Sequence, residues 1–483
     1  MNIIVAGAGT AGWLAALHAK KFNPNANVTV IHDDKTPIIG VGESTVPNFM
    51  DMMRLFDISV EELIQNCDAT IKNAIRFTNW KGDNTYYHHD FTGSKIQEYF
   101  DALSYDINLD WVSLGSTLSR NNKIPVALDE TKDRGIYCGT DYALHFDAKK
   151  MAEHLRSVGI SRGIKTIIGK IEDASLDTDG YVTDIILDTK QRIKTDFIFD
   201  CTGFARFFVN KVYNSPLKSY QEILPTKRAM PFFVDNTETI PPFTEAIAMK
   251  YGWLWKIPVG KRYGCGYVFD SDYISDKEAY EEICEVIKQK PDVNRVISFK
   301  PEYNTKPFNK NTLALGLAHG FLEPLEATSL MITIHMLNIL EETLYKNFNR
   351  VYINRITESY NRIIKNYVEN CVFMVYIHYL NPRNDTKFWE NFKNTIPSCV
   401  SNKLEQIKNF NIKNRCDILY STPFNAMNFL KCMGGVNYID KDTIKRNARL
   451  DSYCEIKENI KVLEDISKNS KSHDDYIREM TNI

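Results

Sequence analysis

A glycine-rich turn near the amino terminus is the first group of residues whose spacing points to chemistry. Residues 7–12 read GAGTAG, a GxGxxG pattern. Its first glycine permits a tight turn, its second lets the backbone approach a pyrophosphate, and its third lets a helix pack closely on a strand. The pattern predicts a dinucleotide whose phosphates meet the N–H groups at a helix start. Taken alone, it leaves NAD, FAD and a purely structural turn open.

The segments around this turn predict the elements that must position it. Residues 2–6 are a short apolar run, residues 10–22 have helical character, and residues 28–31 form a second apolar, β-branched run. Asp33 follows that second run, about 20 residues after the turn, at the spacing of an acidic residue that binds a ribose. Together they indicate the strand–turn–helix–strand opening of a Rossmann half.

Later segments predict a mixed α/β protein. Residues 164–200 alternate apolar and polar positions between Gly and Asp turns, which indicates a β-meander that feeds a buried strand at 197–200. From residue 328 to about 380 the apolar spacing is helical and lacks proline, and the remaining tail is mostly helical and polar. We find no repeat and no low-complexity linker, which favours one compact unit.

Composition excludes several classes of function. A net charge of −2 gives no general attraction to nucleic acid or an acidic membrane, and no apolar run is long enough to span a bilayer. The amino terminus lacks a signal-peptide pattern, so we expect a cytoplasmic protein. The 10 cysteines are widely spaced without a CxxC pair, and no third histidine with ligand spacing accompanies His88 and His89. We therefore expect neither a metal nor a disulfide framework.

Two further segments favour FAD over NAD. Residues 40–47, GVGESTVP, form a second glycine-rich stretch, and residues 200–203, DCTG, end a strand with small residues. Each alone is also typical of a simple turn. Their order after GxGxxG is that of large flavoproteins with an inserted substrate lobe. Trp253 and Trp255 lie two residues apart and so face the same side of a strand, a spacing that buried core residues also show.

At this point the sequence resembles the flavin-dependent tryptophan halogenase family. The likeness rests on GAGTAGWLAA, GVGESTVPNF, the WxWxIP signature in GWLWKIP at residues 252–258, and FLEPLEATS at residues 321–329. These segments occur in family order up to about residue 389. The resemblance implies an α/β fold with an FAD-binding Rossmann-like core, a β-meander and a mainly helical substrate lobe. Residues 1–389 would be the core with inserted substrate-binding elements, and residues 390–483 a mainly helical segment packed on it.

The resemblance also implies an activity. A separate flavin reductase would supply reduced FAD, which with O2 and a halide ion yields hypohalous acid, and this oxidant would halogenate an electron-rich aromatic substrate such as an indole or phenol. Trp253 and Trp255 would screen the flavin from that substrate. One alternative is an FAD-dependent aromatic monooxygenase that hydroxylates its substrate, which needs neither Lys72 nor the paired tryptophans. Another is a non-catalytic flavin-binding protein.

The resemblance assigns roles to individual residues. Lys72 would polarise hypohalous acid or form a haloamine, and Glu326 would stabilise the cationic ring and take its proton. From the residue types alone, Lys72 is typical of a solvated surface group and Glu326 of a helix start. The remaining expected contacts are the halide with Thr328 and Ser329, the substrate ring with His88 and Phe91, and FAD with Gly7, Gly9, Thr10, Ala11, Gly12, Trp13, Val41, Glu43, Ser44, Ile171, Gly316, Leu317 and Leu330.

Two departures from the family pattern concern specificity. Ala327 and Ser329 stand where the family usually has Ser and Gly, so we expect an altered halide preference, toward bromide or iodide. The chain has no tryptophan after Trp389, whereas family members that act on free tryptophan carry aromatic residues there. Another indole or a phenol is therefore an equally good substrate. The sequence leaves the oligomeric state open between monomer, homodimer and higher forms.

Overall fold

The computed structural model describes residues 1–33, 42–92, 95–127, 136–137, 140–236, 239–343, 349–394, 396–413 and 422–481. In these residues a parallel sheet and a larger, mainly antiparallel sheet are surrounded by helices. The helices are Thr10–Phe22, Asn48–Leu55, Val60–Cys67, Ile96–Ser104, Leu114–Arg120, Ala148–Ser161, Asp276–Ile287, Thr328–Glu342, Arg350–Tyr379, Lys387–Asn394, Ser398–Lys408, Ala426–Gly435, Lys441–Asn447, Tyr453–Lys468 and His473–Thr481.

The parallel sheet carries the nucleotide motif. Its strands, in spatial order, are Lys165–Ile168, Asn27–His32, Asn2–Ala6, Phe197–Asp200, Thr312–Ala314 and Phe308–Asn309, of which the last is antiparallel. Asn2–Ala6 is central and almost completely buried, because its apolar run is covered on both faces as parallel strands require. The predicted first strand, helix and second strand are confirmed at Asn2–Ala6, Thr10–Phe22 and Asn27–His32.

The predicted β-meander is also present. Strands Ile171–Leu176, Val182–Leu187 and Arg192–Lys194 form a three-stranded antiparallel sheet, and the chain then enters the buried strand Phe197–Asp200. The alternation seen in the sequence arises because one face of this sheet packs on a hydrophobic cluster while the other faces solvent.

The larger sheet carries the tryptophan motif and the histidine pair. It has seven strands in the spatial order Ile297–Ser298, Arg228–Asp235, Arg262–Phe269, Gly252–Val259, Phe243–Ala248, Ala74–Thr78 and Tyr86–Asp90. Phe243–Ala248 pairs with Ala74–Thr78 in parallel, and the other neighbours are antiparallel.

Small sheets tie distant segments together. One joins Glu43–Ser44, Ala143–Phe146 and Thr70–Lys72, and so links the second glycine-rich segment to the strand of Lys72. The others join Leu217–Ser219 with Glu302–Asn304 and Gly320–Phe321, and Ser470–Ser472 with Lys123–Ala127 and Ile136–Tyr137.

The carboxy-terminal segment packs on the remainder of the chain. The imidazole of His473 accepts a hydrogen bond from the Ile71 N–H at 3.0 Å and donates to the Ile240 carbonyl at 2.8 Å. Helix Ala426–Gly435 lies on strand Tyr86–Asp90, where the Lys431 ammonium pairs with a buried carboxylate. The domain boundary at residue 389 stays a prediction. No helix among the described residues is both long and apolar enough to cross a membrane.

Candidate active site

The glycine turn has the geometry that a pyrophosphate requires. Gly7 has a φ of 117°, and a Cβ at this residue would lie 2.2 Å from the carbonyl oxygen of Cys201. A Cβ at Gly12 would lie 2.1 Å from the carbonyl oxygen of Gly7. Gly9 differs, because a Cβ there would meet no described atom within 4 Å. Gly9 is also the residue that precedes helix Thr10–Phe22, whose first N–H groups receive no side-chain cap and suit a phosphate.

A buried carboxylate lies beside this turn. The hydroxyl of Thr10 is 3.5 Å from Oε1 of Glu43, and Oε2 of Glu43 has no hydrogen-bond partner among the described residues. Burial and, to a smaller extent, the charge of Asp147 raise the pKa of Glu43 to about 7, against the lowering effect of the Thr10 hydrogen bond. An unpartnered buried oxygen is costly, and a hydroxyl of a bound nucleotide would satisfy it. The open cradle and this oxygen both fit FAD.

Other predicted cofactor residues lie at varying positions around this turn. A Cβ on Gly316 would lie 2.9 Å from the Cβ of Ala11, so the segment with Gly316 and Leu317 abuts the helix start. The Ser44 and Thr244 hydroxyl oxygens are 2.8 Å apart. The Trp13 N–H bonds to the Gly9 carbonyl at 3.1 Å while its ring is buried against Gly159. Ile171 packs with the meander and Leu330 lies on helix Thr328–Glu342, and the contacts of these residues with FAD stay a prediction. Val41 lies outside the described residues.

Lys72 is completely buried, which contradicts the surface position typical of lysine. Its ammonium donates a hydrogen bond to the Thr45 carbonyl at 2.7 Å and lies 5.4 Å from the centre of the Phe91 ring. Burial lowers the pKa of Lys72 to about 7, although the negative charge of Glu326 opposes the change. Strand Thr70–Lys72 therefore holds an amine that exchanges a proton near neutral pH, beside a predicted substrate residue.

Glu326 is the centre of a buried hydrogen-bonded cluster. His89 Nδ1 lies 2.9 Å from Oε2 and 3.1 Å from Oε1 of Glu326, and His378 Nε2 lies 2.6 Å from Oε1. Burial alone would raise the pKa of Glu326, but the hydrogen bonds from both imidazoles, together with the positive charge of either ring when it is protonated, lower it to about 2. The carboxylate is therefore ionised at neutral pH. It ends the short 3₁₀ turn Pro324–Glu326, immediately before Ala327 in the left-handed conformation with a φ of 53°.

His378 belongs to this cluster and has no counterpart among the sequence predictions. Its Nδ1 lies 2.7 Å from the Tyr87 hydroxyl, and its ring stacks on Phe77 at 4.1 Å between ring centres. Burial lowers the pKa of His378, against the hydrogen bond and charge of Glu326. Burial also holds the pKa of Tyr87 well above its usual value, so the phenol stays protonated.

The structure does not bring His88 to Glu326. His88 points to the opposite face of strand Tyr86–Asp90, where its Nδ1 lies 2.8 Å from Asp110. Successive residues of a strand alternate between faces, so His89 and Phe91 share the face that carries the cluster. His89, and not His88, therefore lies on the side of Glu326 and Phe91, and the alternation from Phe91 was the sequence signal that indicated it, while the substrate contacts of His88 and Phe91 stay a prediction.

The two predicted halide residues begin helix Thr328–Glu342. Thr328 is buried beside Glu326, whereas Ser329 is exposed, and the Ser329 carbonyl accepts a hydrogen bond from Thr333 at 3.0 Å. N–H groups in a first helical turn have no partner within the helix, and they suit an anion.

The paired tryptophans lie on one face of strand Gly252–Val259, as predicted. Their ring centres are 6.2 Å apart, with Trp253 buried and Trp255 half-buried. A Cβ on Gly266 would lie 2.1 Å from the Trp255 ring, so that glycine provides the room for the indole. Near these tryptophans, burial raises the pKa of the Glu323 carboxyl to about 7, against the hydrogen bond that the Thr226 hydroxyl donates to its Oε2 at 2.5 Å.

Comparisons with known proteins identify the family of the chain. A family profile described as tryptophan halogenase matches residues 2–451. Tryptophan 7-halogenase RebH of Lentzea aerocolonigenes is 31% identical over 422 residues, which cover 80% of this chain and 78% of RebH. Tryptophan 6-halogenase SttH of Streptomyces toxytricini is 28% identical over 447 residues, 84% of each chain.

Solved structures share the fold. The flavin-dependent halogenase Tar14 from taromycin biosynthesis superposes with a TM-score of 0.89 at 24% identity over 99% of both chains. BrvH from Brevundimonas sp. BAL3 superposes with a TM-score of 0.86 at 24% identity over 99% of both chains. The chain belongs to the tryptophan halogenase family, and the predicted flavin-dependent halogenase class and α/β fold are confirmed.

Proposed function

We propose that this halogenase uses Lys72 and Glu326 to place a halogen on an electron-rich indole or phenol ring. The observation that carries the proposal is the complete burial of an amine and a carboxylate whose charges interact, with Phe91 beside the amine. Buried ionisable groups with displaced pKa values are typical of catalytic sites. RebH and SttH are named as halogenases of tryptophan, which supports an indole as one substrate class.

The cofactor would bind at the glycine turn. Gly9 and the first turn of helix Thr10–Phe22 would receive the pyrophosphate, and Glu43 would accept a hydroxyl of the nucleotide. Bound FAD, reduced by a separate flavin reductase, supplies with O2 the oxidising power that turns halide into hypohalous acid. Thr328 and Ser329 would bind the halide through their backbone N–H groups.

Lys72 would hold the hypohalous acid by donating an N–H to its oxygen. With a pKa of about 7, the side chain holds its proton in about half of the molecules at neutral pH, so both the ammonium and the amine are available. The ammonium would polarise the O–X bond, and the amine would form a haloamine. Its hydrogen bond to the Thr45 carbonyl fixes the end of the side chain in either case.

Glu326 would complete the substitution. As the ring carbon bonds to the halogen, the O–X bond breaks and its electron pair leaves with oxygen, which takes a proton to become water. The ring becomes cationic, and the Glu326 carboxylate stabilises it and removes the proton from the halogenated carbon. A pKa of about 2 leaves a weak base. A weak base is sufficient, because a protonated aromatic ring is a strong acid.

The carboxy-terminal segment would complete the substrate site. Helix Ala426–Gly435 reaches the cluster through Asn428, whose amide lies 3.1 Å from His89 Nε2, and through the Cys432 thiol. We assign residues 390–483 to the substrate lobe for this reason. The absence of tryptophan after Trp389 argues for an indole or phenol other than free tryptophan.

The experiment is a product assay with a panel of indoles and phenols. Purified protein is incubated with FAD, a flavin reductase, NADH and either chloride, bromide or iodide, and products are identified by mass spectrometry. We expect halide-dependent replacement of one ring hydrogen. Lys72→Met should abolish product, whereas Lys277→Ala, at an exposed lysine, should leave it unchanged.

The same assay separates the alternatives. A product that gains oxygen without halide would indicate the hydroxylating monooxygenase. Flavin binding without any product from the panel would favour the non-catalytic protein. Undiminished halogenation by Lys72→Met would contradict the assigned role of Lys72.

A further inference from the structure

The hydrogen bonds around Glu326 specify the proton positions on both of its histidine partners. An ionised carboxylate has no hydrogen to donate, so each imidazole nitrogen that faces Glu326 must carry one. These nitrogens are Nδ1 of His89 and Nε2 of His378. The remaining nitrogen of each ring then decides whether that ring is neutral or cationic.

The Asn428 amide determines which nitrogen of the His89 ring carries the hydrogen. Asn428 Oδ1 accepts the backbone N–H of Asn425 at 3.0 Å, which is half of the capping box that begins helix Ala426–Gly435. This bond fixes the orientation of the amide, so the group that faces His89 at 3.1 Å is the NH2 donor. His89 Nε2 must therefore accept, and His89 is neutral with its hydrogen on Nδ1.

Tyr87 is the hydrogen-bond partner of the remaining nitrogen of His378. Burial keeps the phenol protonated, and its oxygen lies 2.7 Å from His378 Nδ1. A phenol can donate or accept, and in the arrangement in which His378 Nε2 carries the hydrogen of a neutral ring, Nδ1 accepts and Tyr87 donates to it. The His378 ring also stacks on Phe77, a contact that stabilises the plane of the imidazole.

We propose that Asn428 and Tyr87 are positioning residues that lock His89 and His378 as neutral, opposite tautomers, so that Glu326 is held by two N–H donors and remains the unneutralised negative charge beside the substrate ring. The inference rests on the role proposed for Glu326. A cationic imidazole at either place would cancel that charge and weaken its attraction for the cationic ring. The lock also links helix Ala426–Gly435 to the catalytic carboxylate.

The packing of helix Ala426–Gly435 on strand Tyr86–Asp90 holds the Asn428 side chain beside His89. The buried Lys431 ammonium, on the same helix, lies 2.6 Å from the Asp90 carboxylate. A Cβ on Gly435 would lie 2.4 Å from the Tyr87 ring, so the helix touches the strand at both ends. The ionisable groups that face Glu326 from the surrounding elements are His89, His378, Lys72, Tyr87, Cys371 and Cys432.

Nitrogen-15 NMR of the full-length protein with labelled histidine tests the lock without any turnover. We expect protonated Nδ1 with unprotonated Nε2 for His89, and the reverse for His378, with signals assigned by loss in His89→Asn and His378→Gln. Asn428→Asp keeps the capping acceptor but removes the donor, so we expect His89 Nε2 to become protonated. Two protonated nitrogens on either ring of the wild type, or an unchanged His89 in Asn428→Asp, would overturn the proposal.

A crossed set of variants tests the effect on catalysis. Asn places its amide nitrogen where His has Nδ1, and Gln places it where His has Nε2. We therefore expect His89→Asn and His378→Gln to retain about tenfold more kcat than His89→Gln and His378→Asn. If the Asn and Gln variants of the same histidine lost equal amounts of kcat, the proposal would be overturned.

Glu326→Gln serves as the control for the underlying role. If this variant loses halogenation while the crossed pairs do not separate, the lock is wrong and the role of Glu326 stands. If Glu326→Gln stays fully active, the proposed role of Glu326 is wrong, and the NMR tautomers still decide whether the lock exists. Melting curves of every variant report whether the fold is retained.

Discussion

The glycine turn and the Glu326 cluster are built in opposite ways. At the turn, neighbouring residues supply the site through their backbone, and a Cβ at Gly7 or Gly12 would overlap a carbonyl oxygen. At the cluster, side chains from separate elements converge: Glu326 follows a 3₁₀ turn, His89 lies on a strand and His378 on a long helix. A local backbone site can be recognised from one motif, whereas a converging site depends on the whole fold.

The largest expected effect is at the converging site. Glu326→Gln keeps the shape of the side chain but removes its charge and its ability to take a proton. We expect kcat for halogenation to fall by about a thousandfold, with FAD affinity unchanged. Steady-state product formation and flavin fluorescence titration measure the two quantities. An equal fall in FAD affinity would contradict the separation of the two sites.

The glycine turn can be broken in two distinguishable ways. Gly12→Ala places a Cβ against the Gly7 carbonyl and should destabilise the protein by about 2 kcal/mol or more, because close-packed backbone cannot yield. Gly9→Ala meets open space and should keep stability while weakening FAD binding by about tenfold or more. Thermal unfolding without FAD and FAD titration compare the two. Equal melting temperatures for both variants would argue against this reading of the turn.

Buried Lys72 predicts a pH dependence of stability. Its pKa of about 7 lies below that of an exposed lysine, so the unfolded chain binds more protons between pH 7 and about 10.5. The Lys72 contribution therefore makes the folded state more stable as pH rises through this window, by about 1 kcal/mol per pH unit. Lys72→Met should remove this slope and stabilise the protein most at neutral pH. Denaturant unfolding at a series of pH values measures the free energy of unfolding of both proteins. If it changed with pH in the same way for the wild type and for Lys72→Met, a lowered pKa of Lys72 would be contradicted.

A smaller effect concerns the halide. Ser329→Gly restores the residue usual in the family at the start of helix Thr328–Glu342. We expect a change of about fivefold or less in the preference between chloride and bromide, because the N–H groups that would bind the anion remain. Competition assays with mixed halides measure the ratio. Strict chloride preference in the unaltered protein would exclude the predicted preference for larger halides.

The smallest expected effect is that of a chelator. Ligand atoms of His89, Glu326 and Cys432 lie within 4.8 Å of one another, but in the proposed tautomer His89 Nδ1, 2.9 Å from Glu326, donates its hydrogen to that carboxylate. A nitrogen that carries hydrogen has no lone pair for a metal. We expect EDTA to leave halogenation unchanged. Loss of activity with EDTA and its return with added zinc would show that the cluster holds a metal.

The difference between the glycine turn and the Glu326 cluster explains which features could be predicted from the sequence. The first strand, helix and second strand, the β-meander and the same-face tryptophans follow from local periodicity, and the structure confirms them. His378 could not be found in this way, because it lies 52 residues from Glu326 and only the packing of helix Arg350–Tyr379 brings it near. His89 could have been predicted, because the alternation of side chains along a strand places it, and not His88, on the same face as Phe91.

A single-turnover experiment separates the proposed roles of Lys72 and Glu326 in halogenation from oxidation of the flavin. Chemically reduced FAD, an accepted substrate, bromide and O2 are mixed with the wild type, Lys72→Met and Glu326→Gln, with no reductase present. We expect brominated product in the wild type only, while the flavin is reoxidised in all three proteins. Bromination by Lys72→Met, or a hydroxylated product in the wild type, would contradict the proposal.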